Sequence, residues 1–327
     1  MANADQIKAL IKSFLEQDED RFLAVAMQVA ANQAKRGNAK FASELREIID
    51  EAKAKFPNPR EPIPINRAKG ELTDLLSVSY PKVRLSDMVL PREVLARLSR
   101  ILKEQRSLNK LQSHGLRPRR KLLLVGPPGC GKTMTASVLA GELGIPLFVV
   151  RLDGLITKYL GETTSKLRII FDAIAESRGV YLFDEFDSIG THRGFLNEVG
   201  EIRRVLNSFL MYIENDRSNA LIVCATNHPQ SLDDALYRRF DDVISYNQPE
   251  VELIEKLLES SLKDYSSKDL KFKALATSAK GLSFADISEI CKSSIKEMVI
   301  HDRSELRSED VSAAIQERQE FRSNPNK

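Results

Sequence analysis

The sequence predicts an α/β protein: a parallel five-stranded sheet sandwiched by helices, with a helical lid after it and a three-helix bundle before it. Short apolar runs alternate with helix-length segments, a pattern typical of a parallel sheet. One run leads directly into a glycine-rich loop, and beyond Pro249 only helical periodicity remains. The predicted domains are a helical bundle over 1–55, a proline-rich linker over 56–85, the α/β domain over 86–247 and the helical lid over 248–327.

The N-terminal segment carries apolar side chains at helical spacing around Ile7, Val25 and Phe41, which predicts three amphipathic helices. A bundle of about 55 residues is marginally stable alone. The segment Phe56–Pro64 contains four prolines. Because proline excludes helix and favours an extended spacer, we expect a domain boundary here.

Five strands and four lid helices follow from the pattern of the remaining chain. The predicted strands are the short apolar runs Leu122–Val125, Leu147–Val150, Val180–Phe183, Leu221–Ala225 and Val243–Ser245. The predicted lid helices are Val251–Tyr265, Leu270–Lys280, Phe284–His301 and Ser308–Arg322, the third starting with a capping box of Ser283 and Asp286. Ligands of parallel sheets bind beyond the carboxyl ends of the strands, so polar residues that follow the strands are the candidates for chemistry.

The glycine-rich loop matches the phosphate-binding pattern G-x-x-x-x-G-K-[ST], with all four fixed positions filled between a strand and a helix. Its residues are Gly126, Pro127, Pro128, Gly129, Cys130, Gly131, Lys132 and Thr133, and we expect them and the following Met134 to bind a nucleotide. Glycines let backbone N–H groups and a helix N-terminus converge on phosphate oxygens. Lys132 is then expected to reach the β- and γ-phosphates, and Thr133 to hold Mg²⁺.

Two further strands deliver polar side chains to the same edge. Asp184 and Glu185 follow the third strand, where Asp184 is expected to hold Mg²⁺ and Glu185 to polarise the attacking water. Asn227 follows the fourth and is expected to orient that water or contact the γ-phosphate. Acidic residues also end strands as solvated turns, and Asn227 precedes His228-Pro229, so turn formation is the alternative interpretation.

Composition describes an ordinary globular chain of 327 residues, 42% apolar and 29% charged, with a net charge of +3. This charge does not indicate nucleic acid as a partner, and the basic run 117–121 is typical of a solvated face or subunit contact. Cys130, Cys224 and Cys291 are scattered, which fits a reducing, cytoplasmic location. No apolar run reaches the roughly 20 residues that span a bilayer, so a membrane span is not expected.

The residues after the fourth strand carry a resemblance to a known family. Ala225-Thr226-Asn227-His228-Pro229 and the later Leu232–Phe240 segment resemble the second region of homology of AAA-type ATPases. The adjacent Arg238 and Arg239 resemble the spastin and katanin branch. Lys158, Tyr159 and Leu160 resemble the aromatic pore loop, and Gly281–Asp286 resembles the G-x-S-G-A-D lid motif. The N-terminal bundle is similar in plan to the microtubule-interacting-and-trafficking domain.

The resemblance implies a P-loop NTPase fold and a Mg²⁺-dependent ATPase, assembled as an ATP-promoted homo-hexamer. Such a ring draws a polypeptide through its pore, gripped by Lys158, Tyr159 and Leu160, while the bundle docks a protein substrate or effector enzyme. Ala285 belongs to the adenine pocket, where Phe284 replaces a small residue. Arg238 and Arg239 become arginine fingers for the neighbouring subunit. Because the lid motif lacks a basic residue, these trans cations are expected to act alone.

Several alternatives stay open from the residues themselves. Tyr159 shares a helical stripe with Leu152 and Ile156, which indicates a buried core position instead of a pore. In the alternative interpretation, Arg238 and Arg239 are surface ion-pair partners of Asp233, Asp241 or Asp242. A nucleotide-gated module that docks a protease, and a nucleic-acid motor using the basic run, are the competing functions. The segment His192–Leu196 in the second pore-loop region has no assignment.

Overall fold

The computed structural model describes residues 25–27, 29–30, 38, 40, 43–47, 49, 72–155, 162–187, 199–232, 234–265 and 270–323. The chain divides into two compact units, residues 1–63 and 64–327. In the first unit the described residues are helical apart from Asn38, and they fall where the second and third N-terminal helices are predicted. The first of those helices lies outside the described residues, and the three-helix bundle stays a prediction.

The second unit contains a six-stranded sheet in the order β1-β3-β4-β5-β2-β6. Its strands are β1 (Leu76–Ser79), β2 (Lys121–Val125), β3 (Leu147–Val150), β4 (Val180–Phe183), β5 (Leu221–Thr226) and β6 (Asp242–Ser245). The pairs β3·β4, β4·β5, β5·β2 and β2·β6 are parallel. All five predicted strands are confirmed, with ends that move by one residue at most.

The prediction of five strands was incomplete, because β1 adds a sixth. It pairs antiparallel with β3, from Leu76 opposite Val150 to Ser79 opposite Leu147. It lies in the stretch predicted to be linker, where Leu-Ser-Val-Ser is too short and polar to stand out as a strand. Edge strands bury little, and Leu76 is the one fully buried residue of the four.

Helices cover both faces of the sheet and form the lid. They are α1 (Leu72–Leu75), α2 (Arg92–Arg106), α3 (Leu108–Gln112), α4 (Lys132–Leu143), α5 (Leu152–Leu155), α6 (Glu162–Glu176), α7 (Val199–Asn215), α8 (Asp234–Tyr237), α9 (Val251–Leu262), α10 (Phe272–Ser278), α11 (Phe284–Ile300) and α12 (Ser308–Ser323). Short 3₁₀ turns occupy Leu85–Asp87, Pro229–Ser231 and Lys263–Tyr265. Among the described residues, no helix is long and apolar enough to cross a membrane.

The two sheet faces bury alternate residues of each strand. On one face Leu123, Tyr181 and Ile222 pack with α6 and α7, whereas on the other Leu122 and Leu182 pack with α2 and α4. Because both faces are covered, the central strands are almost entirely apolar, and β2, β4 and β5 are buried at every position, including Lys121 and Thr226. The lid has a core of its own, formed by α9 to α12.

Candidate functional site

The glycine-rich loop joins the end of β2 to the start of α4 at the carboxyl edge of the sheet. Gly126 and Gly129 have φ values of 144° and 75°, which L-amino acids with a side chain rarely adopt. A Cβ at Gly126 would lie 2.1 Å from the Tyr246 carbonyl oxygen, and one at Gly129 would lie 2.5 Å from Ser283 Oγ. The loop therefore packs so closely against its neighbours that glycine is required at both positions.

Lys132 begins α4, and its side chain is turned back into the loop. Its Nζ donates hydrogen bonds to the carbonyl oxygens of Gly126 at 2.6 Å and Pro127 at 2.8 Å, and to Asn227 Oδ1 at 2.8 Å. The side chain is buried, and this burial is the main cause that lowers its pKa. All three hydrogens of the Lys132 ammonium group thus have acceptors. Phosphate oxygens are stronger acceptors and can replace these carbonyl oxygens when a nucleotide binds.

The other nucleotide-loop residues differ in exposure. Cys130 is buried, with Sγ 3.9 Å from the Pro128 carbonyl oxygen, and burial raises the pKa of its thiol. Met134 is exposed on the first turn of α4, as is Thr133. The exposed Thr133 and Met134 side chains are therefore accessible to a nucleotide and its cation, whereas the Cys130 side chain is not.

The predicted metal ligands meet each other directly. Thr133 Oγ1 donates a 2.6 Å hydrogen bond to Asp184 Oδ2, joining the start of α4 to the end of β4. Hydroxyl and carboxylate oxygens are the ligands that Mg²⁺ prefers, so this pair fits the cation that the sequence predicts. The next residue, Glu185, has a φ of 48° and an exposed side chain with no hydrogen bond inside the described part of the chain. Its carboxylate is therefore available for a substrate or water.

Asn227 is held in place by an aspartate that the sequence analysis missed. Asp187 is buried, and its Oδ1 accepts hydrogen bonds from Thr226 Oγ1 at 2.8 Å and from the Asn227 backbone at 3.3 Å. The Phe186 amide also donates to the Ala225 carbonyl oxygen at 2.9 Å. These bonds tie the end of β4 to the end of β5. The signal was available, since Asp187 follows the two predicted carboxylates by only two residues.

The lid reaches the same edge through the start of α11. Ser283 and Asp286 form the predicted capping box, which is confirmed. The Ala285 amide donates a 3.0 Å hydrogen bond to the Gly129 carbonyl oxygen, so the lid contacts the phosphate-binding loop directly. Phe284, the first residue of α11, is half-buried beside this contact. The structure thus places Ala285 beside the phosphate-binding loop, and its role in an adenine pocket stays a prediction.

Arg238 and Arg239 lie at the opposite edge of the sheet. They precede β6, whose first residue, Asp242, pairs with Leu122 at the beginning of β2. The phosphate-binding loop starts where β2 ends, about 15 Å away for a strand of this length. Since the two arginines and the loop occupy opposite edges, the arginines cannot serve the phosphate site of their own chain.

The two arginines also differ from each other. Arg239 donates from Nε to Glu214 Oε2 at 3.2 Å and from Nη1 to the Ala235 carbonyl oxygen at 2.7 Å. Its ion-pair partner is thus Glu214, which the sequence analysis had not considered. Arg238 is exposed, and its side chain makes no hydrogen bond or ion pair with the residues that the structure describes. The guanidinium of Arg239 is therefore occupied by bonds within the chain, whereas that of Arg238 is available.

The basic run, predicted to be a solvated face or a subunit contact, is exposed at Arg117 but becomes buried towards its end. Arg120 and Lys121 are buried, and Arg120 forms an ion pair with Asp216. Arg119 lies within 4 Å of Glu104 and Asp242 carboxylates. Much of the positive charge of this segment is therefore neutralised inside the chain, which weakens its use for nucleic-acid binding.

Some predicted site residues lie outside the described residues. They are Lys158, Tyr159 and Leu160 of the predicted pore loop and the unassigned segment His192–Leu196.

Comparisons with known proteins agree with this geometry. The family model of the ATPase family associated with various cellular activities (AAA) matches residues 122–248. An uncharacterized AAA family ATPase of Sinorhizobium fredii, y4kL, is 36% identical over 320 residues, which cover 97% of this chain and 96% of that protein. An ATP-dependent zinc metalloprotease FtsH of Rickettsia bellii is 31% identical over 250 residues, 71% of this chain but 39% of that protein. The meiotic spindle formation protein mei-1 of Caenorhabditis elegans is 32% identical over 211 residues, 62% of this chain and 45% of that protein.

Proposed function

Because the chain belongs to the AAA family of ATPases, we propose that it is a Mg²⁺-dependent ATP-hydrolysing ring motor that remodels, unfolds or disassembles protein substrates. The observation that carries the proposal is the contact between three strand ends at one edge of the sheet. Lys132 Nζ bonds Asn227 Oδ1, and Thr133 Oγ1 bonds Asp184 Oδ2. This arrangement supports phosphate binding, cation binding and water activation within a single edge.

Each residue has a stated task in the proposal. The loop amides and Lys132 bind the β- and γ-phosphates, with Lys132 exchanging two backbone carbonyl acceptors for phosphate oxygens. Thr133 and Asp184 hold Mg²⁺, which when bound neutralises charge on the phosphate oxygens. Glu185 orients and deprotonates the attacking water, and Asn227 fixes the position of the γ-phosphate. Ala285 lines the adenine site on the lid side.

The transition-state cation comes from a second copy of the chain. Arg238 is exposed at the edge of the sheet remote from its own phosphate loop, so it is suited to the site of a neighbouring subunit. An arginine supplied in this way accelerates phosphoryl transfer by about 10³ to 10⁵. We propose a homo-hexameric ring in which Lys158, Tyr159 and Leu160 grip the polypeptide and the N-terminal bundle, of microtubule-interacting-and-trafficking type, recruits it. The spastin and katanin branch is the proposed relationship.

The Glu185→Gln variant tests the ATPase part of the proposal. Glutamine keeps the size of the side chain but cannot accept the proton of water, so ATP should bind with unchanged affinity while turnover falls by about 10² or more. ATP binding by titration and phosphate release measure the two effects, and sedimentation velocity measures whether ATP-bound rings accumulate. Glu176→Gln, a change on α6 away from the site, is the matched control. Normal turnover by the Glu185 variant would reject the assignment.

The Tyr159→Ala variant tests the motor part. An aromatic ring grips an extended peptide by contact area, which alanine cannot supply. ATP hydrolysis should persist while unfolding of a tagged substrate is lost, and Tyr159→Phe should retain both activities. Substrate unfolding by Tyr159→Ala would contradict threading by this loop.

The second candidate is a nucleotide-gated regulator that docks a separate effector enzyme, such as a protease, through the N-terminal bundle. It is favoured by the similarity to the ATP-dependent zinc metalloprotease FtsH of Rickettsia bellii, whose name joins ATP dependence to a protease. Pull-down with the full-length Glu185→Gln variant and ATP separates the two. Diverse unfolded clients support the motor, whereas one stoichiometric enzyme partner supports the regulator.

A further inference from the structure

The lid contact at the phosphate loop depends on a buried carboxylate. Asp286 Oδ2 accepts hydrogen bonds from the Ser283 amide at 2.8 Å and the Ser283 hydroxyl at 2.6 Å. These bonds fix the first turn of α11, whose Ala285 amide bonds the Gly129 carbonyl oxygen. The Asp286 side chain is only 5% exposed, so its charge needs a partner inside the protein.

Two arginines of α12 supply that partner. Arg318 Nε donates to Asp286 Oδ1 at 2.9 Å, and Arg322 Nη2 lies 3.2 Å from Asp286 Oδ2. Arg322 also donates from Nη1 to the carbonyl oxygen of Gly281, two residues before the N-cap Ser283. With the two Ser283 bonds, Asp286 Oδ2 has three partners and Oδ1 has one, which restricts the first turn of α11.

The geometry of α12 fits this role. Val311 and Ile315 are buried in the lid core, and Arg318 and Arg322 continue the same face at helical spacing. Gln319 adds a 2.7 Å hydrogen bond to the Ser278 carbonyl oxygen at the end of α10. Arg322 also acts on the loop itself, since its charge opposes the rise that burial causes in the pKa of the Cys130 thiol.

We propose that Arg318 and Arg322 are positioning residues for nucleotide binding, which hold the start of α11 against the phosphate loop through Asp286. The inference rests on the proposed ATP site. It adds two arginines of the same chain to the cation that the proposed function takes from a second copy. The lid motif has no basic residue, but the last helix places two guanidinium groups directly behind it. Nucleotide affinity thereby depends on how α12 sits on the lid.

The experiment compares two arginine–aspartate pairs of the same lid. Arg303 pairs with Asp310 at 2.7 Å, but Asp310 lies eight residues before Arg318 on α12, about 12 Å along the helix. The Arg318→Gln/Arg322→Gln double variant should raise the Kd for ADP and the KM for ATP by about tenfold to a hundredfold with kcat unchanged. Arg303→Gln should lower the thermal unfolding midpoint but leave Kd and KM at their wild-type values.

Two results would overturn the inference. One is an unchanged Kd for ADP in the double variant, and the other is an equal loss of affinity in Arg303→Gln, which would indicate lid stability alone. Should the double variant not fold, Arg322→Gln keeps Arg318 on Asp286 and gives the same readouts. Failure of the wild-type chain to bind ATP or ADP would instead contradict the proposed function.

Discussion

The two edges of the sheet are built for different purposes. At the carboxyl edge, Lys132, Asn227, Thr133 and Asp184 bond to one another, so the groups that bind nucleotide are assembled within one chain. At the amino edge, Arg238 is exposed, and its side chain makes no hydrogen bond or ion pair with the described residues. The nucleotide site is therefore assembled within one chain, whereas in the proposed ring Arg238 would act only when a second chain approaches.

The amino edge is also rigid around its exposed arginine. Asp241 accepts hydrogen bonds from the Arg120 and Lys121 amides, and Arg120 pairs with Asp216. Arg239 is fixed by Glu214 and by the Ala235 carbonyl oxygen. In the proposed ring, such a fixed support would reduce the entropy that the Arg238 side chain loses on entering a neighbouring site. The comparison shows that the two adjacent arginines differ: the Arg239 side chain is bonded within the chain, whereas the Arg238 side chain is exposed.

Arg238→Ala is expected to have the largest effect. Turnover should fall by about 10³ or more while ATP affinity stays unchanged, because the residue lies far from its own phosphate loop. Phosphate release and ATP titration measure the two quantities.

A mixture of two inactive variants sharpens this prediction. Lys132→Ala lacks the phosphate lysine but keeps Arg238, so mixing it with Arg238→Ala should restore part of the ATPase activity through mixed interfaces. Persistent inactivity of the mixture, with co-assembly verified by sedimentation, would show that the arginine does not act between subunits.

Arg239→Ala provides the matched control within the same pair. Its ion pair with Glu214 is largely solvent-exposed, since the Glu214 side chain is 63% exposed, and such pairs contribute about 0.5 kcal/mol. We expect a small loss of stability and a much smaller loss of turnover than for Arg238→Ala, which Glu214→Gln should reproduce. Equal losses of turnover for both arginines would mean that both enter the neighbouring site.

Asp187→Ala is expected to have an intermediate effect at the carboxyl edge. It leaves the buried Thr226 hydroxyl and the Asn227 amide without their acceptor, which costs about 1–3 kcal/mol of stability. Because Asn227 then loses its fixed position, kcat should fall by about tenfold with little change in KM. Asp187→Asn keeps an acceptor oxygen and should restore most of kcat. An unchanged kcat in Asp187→Ala would limit this residue to a structural role.

The elements that local pattern determines were predictable from the sequence. The phosphate loop, the Asp184 and Glu185 pair and the Ser283 and Asp286 capping box all depend on residues within a few positions of one another. The structure has them at the predicted places. Their chemistry is local because a strand end and a helix start are adjacent along the chain.

The contacts that were missed join distant segments. Arg318 and Arg322 follow Asp286 by 32 and 36 residues, and Glu214 precedes Arg239 by 25. An arginine on a helix surface gives no sign in the sequence of which carboxylate it will meet, since most such residues are solvated. Strand β1 was missed for the same reason, because its position is set by pairing with β3 about 70 residues later.

The smallest expected effect is the pH dependence of stability that Asp286 causes. It tests whether this carboxylate holds the lid at the carboxyl edge. Burial alone would raise the pKa of Asp286, but the bonds from Ser283, Arg318 and Arg322 outweigh it and lower that pKa below the ordinary value. A lowered carboxyl pKa contributes stability that is present above the ordinary value near 4 and is lost as the pH falls through the lowered one. The unfolding midpoint of the wild type should therefore exceed that of Asp286→Asn by about 3 °C above pH 5, and the difference should shrink towards pH 3.

Measuring ADP binding as well distinguishes an effect at the carboxyl edge of the sheet from a general loss of lid stability. Asp310→Asn removes another carboxylate of lowered pKa, which is paired with Arg303 and does not contact the phosphate loop. Both variants should lose the acid-sensitive part of their stability, but only Asp286→Asn should also weaken ADP binding at pH 7. A loss of ADP affinity in both would mean that the lid stabilises the loop as a whole, and that the carboxyl edge is not controlled through the start of α11.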